Sequence, residues 1–126
     1  MSRSKLSVAL AAALMVGALV VASMAFARAA ADTGVTIKGQ EGDYHGKVLS
    51  ERNKCQGDRK VVVYKQKGKK QEPTTDKKIG SDISEDVGNK GVWDAGNTGF
   101  KKGKFYAEAK KSPGCATGYS ETIKRP

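Results

Sequence analysis

Residues able to do acid–base, nucleophilic or metal chemistry are scarce in this 126-residue chain. His45 is the single histidine, set in a glycine-rich stretch, Gly39 to Gly46. A Ser-His-Asp triad needs such a base beside a presented serine. No Gly-x-Ser-x-Gly elbow accompanies it, so a solvated loop histidine is expected. Glycosidase-type chemistry needs two carboxylates in a cleft. Of the 13 Asp and Glu residues, none stands in an apolar run that would raise its pKa. Asp82-x-Ser84-x-Asp86-x-Gly88 resembles half of a calcium loop. Val87 holds the place of the sharp-turn glycine and Trp93 that of the bidentate glutamate, which excludes an EF-hand. A looser calcium site at Asp82, Glu85 and Asp86 competes with a solvated acidic turn, which is the default. No catalytic residue, metal or cofactor is therefore expected, and the chain reads as non-enzymatic.

Lysine is the stronger chemical signal. Lys65, Lys67, Lys69 and Lys70 cluster at one turn; Lys77-Lys78, Lys101-Lys102 with Lys104, and Lys110-Lys111 form further groups. A concentrated positive surface attracts polyanions such as envelope polymers, phospholipid headgroups or nucleic acid. The competing explanation is solvation and protection of edge strands. The sequence does not join the groups into one patch, because the Lys101 and Lys110 groups flank a single strand at its opposite ends. Few aromatic residues are free to stack bases, so no specific nucleic-acid partner is expected. The expected partner is an extracellular protein or an anionic envelope polymer.

Compartment follows from the start of the chain. Arg3 and Lys5 precede an apolar run from Leu6 to about Phe26, closed by Ala25-Phe26-Ala27. This is the layout of a secretory signal peptide, residues 1–27, with Ala29 or Ala31 as alternative cleavage points. A retained anchor is the competing reading, because the run approaches the roughly 20 residues needed to span. There is no twin-arginine pair, no cysteine at the leader's end and no Asn-x-Ser/Thr sequon. All three methionines, Met1, Met15 and Met24, lie in the leader. Arg3, Lys5 and Arg28 precede residue 32, so 20 of the 23 Lys and Arg face 13 Asp and Glu beyond it. The net charge there is +7, against +10 for the whole chain. The expected product is a secreted or periplasmic monomer with no membrane anchor after cleavage.

Export gives Cys55 and Cys115 a structural meaning, since an even pair in a small exported domain most often forms a disulfide. The bridge would close a loop of about 60 residues and contribute about 4 kcal/mol in a chain-entropy account. No Cys-x-x-Cys motif points instead to redox or metal chemistry.

The elements that position these groups read as short strands. Residues 28–34 are an expected flexible lead-in and 35–126 the domain. Val35–Gly39 alternates, Lys47–Ser50 follows, and Lys60–Tyr64 is the clearest strand, with Val61 and Val63 facing inward. Lys78–Gly80 and Asp82–Ser84 suggest a kinked strand. Gly91–Asp94, Gly103–Lys111 and Tyr119–Lys124 complete the set. Phe105, Ala107 and Ala109 share one face of the Gly103 strand; Lys104, Tyr106, Glu108 and Lys110 share the other. Val48, Val61, Val63, Trp93, Phe105 and Ala107 are the expected core. Trp93 fits core better than a stacking platform. About seven short strands with no sustained helical period predict an all-β sandwich, with a small barrel as competitor.

The order Lys47-Val48, Ser50, Cys55, Arg59-Lys60-Val61-x-Val63-Tyr64, then Asp86, Gly91 and Trp93, then Gly103-x-Phe105-Tyr106-Ala107, Cys115 and Ser120 resembles a group of small exported bacterial proteins. Their sandwich looks like the transthyretin-like or carboxypeptidase-regulatory-like domain. The resemblance implies an immunoglobulin-like or transthyretin-like sandwich with a Cys55–Cys115 bridge, and no activity. Ser84–Gly91 departs from it, being longer than the compact Thr-Asp-x-x-Gly turn expected before the aromatic strand.

Overall fold

The computed structural model describes residues 29–126, so the expected leader, residues 1–27, lies outside the described residues. The described chain is all-β, with ten strands: β1 Gly34–Val35, β2 Lys38–Gln40, β3 Asp43–Leu49, β4 Lys60–Gln66, β5 Lys77–Ile83, β6 Glu85–Asp86, β7 Gly91–Asn97, β8 Gly103–Ala109, β9 Gly118–Tyr119 and β10 Ile123–Arg125. They form two antiparallel sheets. The first runs β1-β3-β7-β6, with β2 also on β3; the second runs β10-β8-β4-β5, with β9 also on β8.

Side-chain alternation decides how the sheets meet. In β3, Tyr44, Gly46 and Val48 are buried while Asp43, His45, Lys47 and Leu49 are exposed. Trp93 of β7 joins Tyr44 and Val48 from the first sheet, and Val61, Val63, Phe105, Ala107 and Ala109 join from the second, in one apolar cluster. The Tyr44 and Phe105 rings meet with centroids 4.7 Å apart. Full burial of an apolar side chain of this kind contributes roughly 1.5–3 kcal/mol. Gly46 is required by close approach: a Cβ there would lie 1.9 Å from the Thr36 carbonyl oxygen and 2.9 Å from the Trp93 ring.

Seven strands were expected and ten are found: hydroxyl side chains break two expected strands, and the short β6, Glu85–Asp86, pairs with β7 where a turn was expected. Around Thr36, the Lys47 N–H bonds to the Thr36 Oγ1 instead of a backbone carbonyl, and β1 and β2 separate. At Ser120, the Ala107 N–H donates to Ser120 Oγ, which splits the last strand into β9 and β10. The glycine-rich turn expected through Gly46 is also corrected. Only Glu41 and Gly42 turn, and His45 lies exposed within β3 rather than in a loop. The chain crosses between sheets at Ser84, where β5 ends and β6 begins. Ser84 Oγ donates to the Gln56 carbonyl and accepts from the Arg59 N–H.

Cys55, at the end of a short 3-10 turn (Asn53–Cys55), is bridged to Cys115, with Cα atoms 5.5 Å apart. Beside the bridge lies Arg59, 1% exposed. Its Nη1 donates to the Cys55 carbonyl and Thr33 Oγ1, its Nη2 to the carbonyls of Lys110 and Ala116, and its Nε to that of Lys110. Residues of the expected lead-in meet this node: Ala31 pairs with Gly114 and Ala116 through backbone bonds, and Thr33 Oγ1 donates to the Ala116 carbonyl.

Arg59→Met keeps bulk but strands the carbonyls of Cys55 and Lys110, while that of Ala116 keeps its bond from Thr33. It is expected to cost on the order of 3 kcal/mol or more in urea unfolding, since each buried unsatisfied group costs roughly 1–3 kcal/mol. Reduction of the bridge is expected to lower the unfolding free energy by about 4 kcal/mol in the same assay. An unchanged midpoint contradicts the structural role of the arginine in the first case and of the bridge in the second.

Candidate polyanion-binding surface

The second sheet buries residues on both of its faces. Val61 and Val63 of β4 enter the core, while Val62, Tyr64 and Gln66 point outward and are nonetheless buried. The β4–β5 loop, residues 67–76, accounts for part of this. Gln71 Nε2 donates to the Ser120 carbonyl and to Thr122 Oγ1. Asp76 Oδ1 accepts the Lys67 N–H, and Oδ2 accepts the Glu72 N–H. The Tyr106 hydroxyl donates to the same Oδ2 at 2.5 Å. Tyr106 stacks on Tyr64 with centroids 5.1 Å apart.

Glu108 carries a second knot on this face. Its Oε1 accepts the Tyr64 hydroxyl at 2.6 Å and pairs with Lys110 Nζ at 2.9 Å; its Oε2 accepts the Tyr119 hydroxyl at 3.0 Å. Burial pushes the Tyr64 hydroxyl up to about 12, helped by the bond to Glu108. Burial raises Tyr106 further, reinforced by Asp76. Burial alone would raise the two carboxyls, but hydrogen bonds reverse it. Tyr106 and the backbone N–H groups of Glu72 and Lys67 hold Asp76 below its ordinary range, and Tyr64, Lys110 and Tyr119 do the same for Glu108.

This frame fixes where the lysines go. The β4 end, the β5 start and the β8 start lie side by side: Lys65 is opposite Lys77, Gln66 opposite Lys104, and Lys104 opposite Lys124. Lys67, Lys69 and Lys70 project from the loop at this end, and Lys101 and Lys102 sit on the turn before β8, all five exposed. Lys104 Nζ donates to the Gly68 carbonyl, joining the β8 start to that loop. Phe100 lies under Lys77 and Lys65, with ammonium nitrogens 4.8 Å and 5.7 Å from its ring centroid. Such cation–π contacts are worth roughly 0.5–1 kcal/mol at exposed sites and place the charges without neutralising them. Lys65, Lys67, Lys69, Lys70, Lys101, Lys102 and Lys104 therefore share one end of the fold. Lys110 and Lys111 follow the opposite end of β8 and stand apart.

Glu41 and Asp43 border the same end at the β2–β3 turn, which is tied to the Thr98 turn through the Gly42 carbonyl. No lysine of the end is ion-paired among the described residues, where Lys110–Glu108 is the one salt bridge. Sequence reasoning missed Lys124 and Phe100 because their neighbours come from other strands. It also missed Asp76, whose loop position gives no sign of a buried carboxylate. The suspected calcium residues face elsewhere: Asp82 Oδ2 accepts the Asp94 N–H, and Glu85 and Asp86 are exposed on β6. Among the described residues no group of three potential metal ligands is found, and no helix is long and apolar enough to cross a membrane.

Comparison with protein-family models and with curated proteins finds no match.

Asp76 and Glu108 have folded-state pKa values below those of the unfolded chain. Their stabilisation is present above the unfolded values near pH 4 and is lost as pH falls through the folded ones. Unfolding free energy is expected to drop below about pH 4. Asp76→Asn should shallow that drop, measured by urea titration between about pH 2 and 7. An identical slope in the variant sinks the assignment.

Proposed function

We propose that this protein is an exported, non-enzymatic β-sandwich module that binds an anionic polymer of the cell envelope through its lysine-rich end. The carrying observation is topological. Strand pairing brings lysines from separate parts of the sequence to one end, and no carboxylate pairs with them there among the described residues. Like charges held side by side repel, so a retained cluster of this kind suits a polyanion better than bare solvation does. The disulfide supports a location outside the cytoplasm, and the leader over residues 1–27 supports export. The residue order resembling transthyretin-like exported proteins supports a binding module of that kind.

A binding role is further supported by how the perturbed carboxylates are used. Asp76 and Glu108 have both oxygens occupied by hydrogen bonds that fix the loop and the sheet face. Neither is left to act as a general acid or base.

Long-chain polyphosphate and polyglutamate are suitable probes. Neutralising about five polymer charges should weaken binding about 100-fold between 50 and 200 mM salt. Combined Lys69→Gln, Lys70→Gln, Lys101→Gln and Lys102→Gln should reduce both the affinity and the slope against log salt, followed by fluorescence anisotropy. Salt-independent binding, or binding untouched by the variant, overturns the reading.

A further inference from the structure

The outer face of the second sheet carries a second positive feature, away from the lysine-rich end. Lys60, Val62 and Tyr64 point outward from β4. Ser81 of β5 is opposite Val62, Lys78 is opposite Tyr64, and Lys110 bonds through its N–H to the Lys60 carbonyl. Val62, 3% exposed, is therefore surrounded by three lysines and a serine. Together they line a concavity of about 220 Å³. That is below the roughly 300–1,000 Å³ of pockets that take drug-sized molecules, and suits a small charged group.

Charge decides which group. One carboxylate flanks the concavity: Glu108, opposite Val62 on β8. Both its oxygens are occupied, by Tyr64 and Lys110 on one side and Tyr119 on the other. It offsets Lys110 and offers nothing to Lys60 or Lys78, which make no ion pair among the described residues. The Ser81 side chain is exposed on the rim and supplies a hydroxyl. The Glu108–Lys110 pair is rigid, because Tyr64 on β4 and Tyr119 on β9 clamp it. The Lys110 ammonium is thus held in place, while Lys60 and Lys78 are exposed and without an ion-pair partner among the described residues.

We propose that this concavity binds a phosphate group, with Lys60, Lys78 and Lys110 as its cationic contacts and Ser81 as a hydroxyl partner. A phosphate offers several strong acceptor oxygens to converging ammonium groups, whereas a carboxylate offers two. The inference deepens the anionic-polymer reading and rests on it for the polymer. It makes that polymer a phosphate-bearing one, held at the lysine-rich end by general attraction and at this concavity by one phosphate.

The test uses purified full-length protein with reductively 13C-methylated lysines, observed by NMR. The probes are inorganic phosphate, tripolyphosphate and acetate. Phosphate and tripolyphosphate should shift the Lys60, Lys78 and Lys110 signals in a saturable way, and acetate at equal ionic strength should not. Lys60→Gln with Lys78→Gln should weaken tripolyphosphate binding about tenfold or more, as expected for losing charge-assisted hydrogen bonds. Both side chains are exposed, so the melting temperature should hold. The four-lysine variant of the other end should leave tripolyphosphate binding unchanged while weakening long polyphosphate. Saturation by inorganic phosphate shows that a free anion suffices; saturation by tripolyphosphate alone assigns the site to a phosphate within a chain, and both support it. Equal shifts with acetate, or equal losses in the two variants, overturn the site. Long polyphosphate binding that still depends on the other end would then leave the polymer reading standing.

Discussion

The guanidinium of Arg59 is the point on which the described fold depends. It is buried and directs its donors to three backbone carbonyls and one hydroxyl, drawn from the Cys55 turn, the end of β8, the Ala116 segment and Thr33. Those pieces have little apolar surface of their own to hold them. An arginine suits the place because its planar fork meets several acceptors at once, which a lysine cannot do. The Cys55–Cys115 bridge lies beside it and joins two of the same segments covalently. One contact is directional and the other is covalent, and together they fix loops that a small core does not reach.

From that node the two sheets take different characters. The first alternates cleanly, with one face in the core and one in water. The second is buried on both sides along β4 and β8, because tyrosines and carboxylates on its outer face satisfy one another under the β4–β5 loop. A polar network of this kind is stabilising only when its members are satisfied, and here Asp76 and Glu108 each use both oxygens. The network also decides the surface. It anchors the loop that presents Lys67, Lys69 and Lys70, and it fixes Lys110 at the edge of the concavity. Structure-holding and charge-presenting roles thus meet in the same few residues.

Much of the architecture was legible in the residues. The β-branched run at Lys60–Tyr64 gave a strand with Val61 and Val63 inward, and the alternation after Gly103 placed Phe105, Ala107 and Ala109 together. Strand number was less legible, because Thr36 and Ser120 replace backbone acceptors with hydroxyls, a substitution visible only once the partner strand is known. The extent of β3 was hidden for a similar reason. Gly46 looks like a turn residue until the Thr36 carbonyl and Trp93 are seen against it.

By itself the sequence determined the all-β class, the pairing of its only two cysteines and the excess of positive charge. These follow from local periodicity, composition and counting, which need no third dimension. Only the tertiary structure decided where the charge lies. Lys65, Lys77, Lys104 and Lys124 become neighbours through strand register, and Lys60, Lys78 and Lys110 converge over Val62 for the same reason. Register is set by long-range pairing and by which face each strand buries, so no stretch of sequence carries it alone.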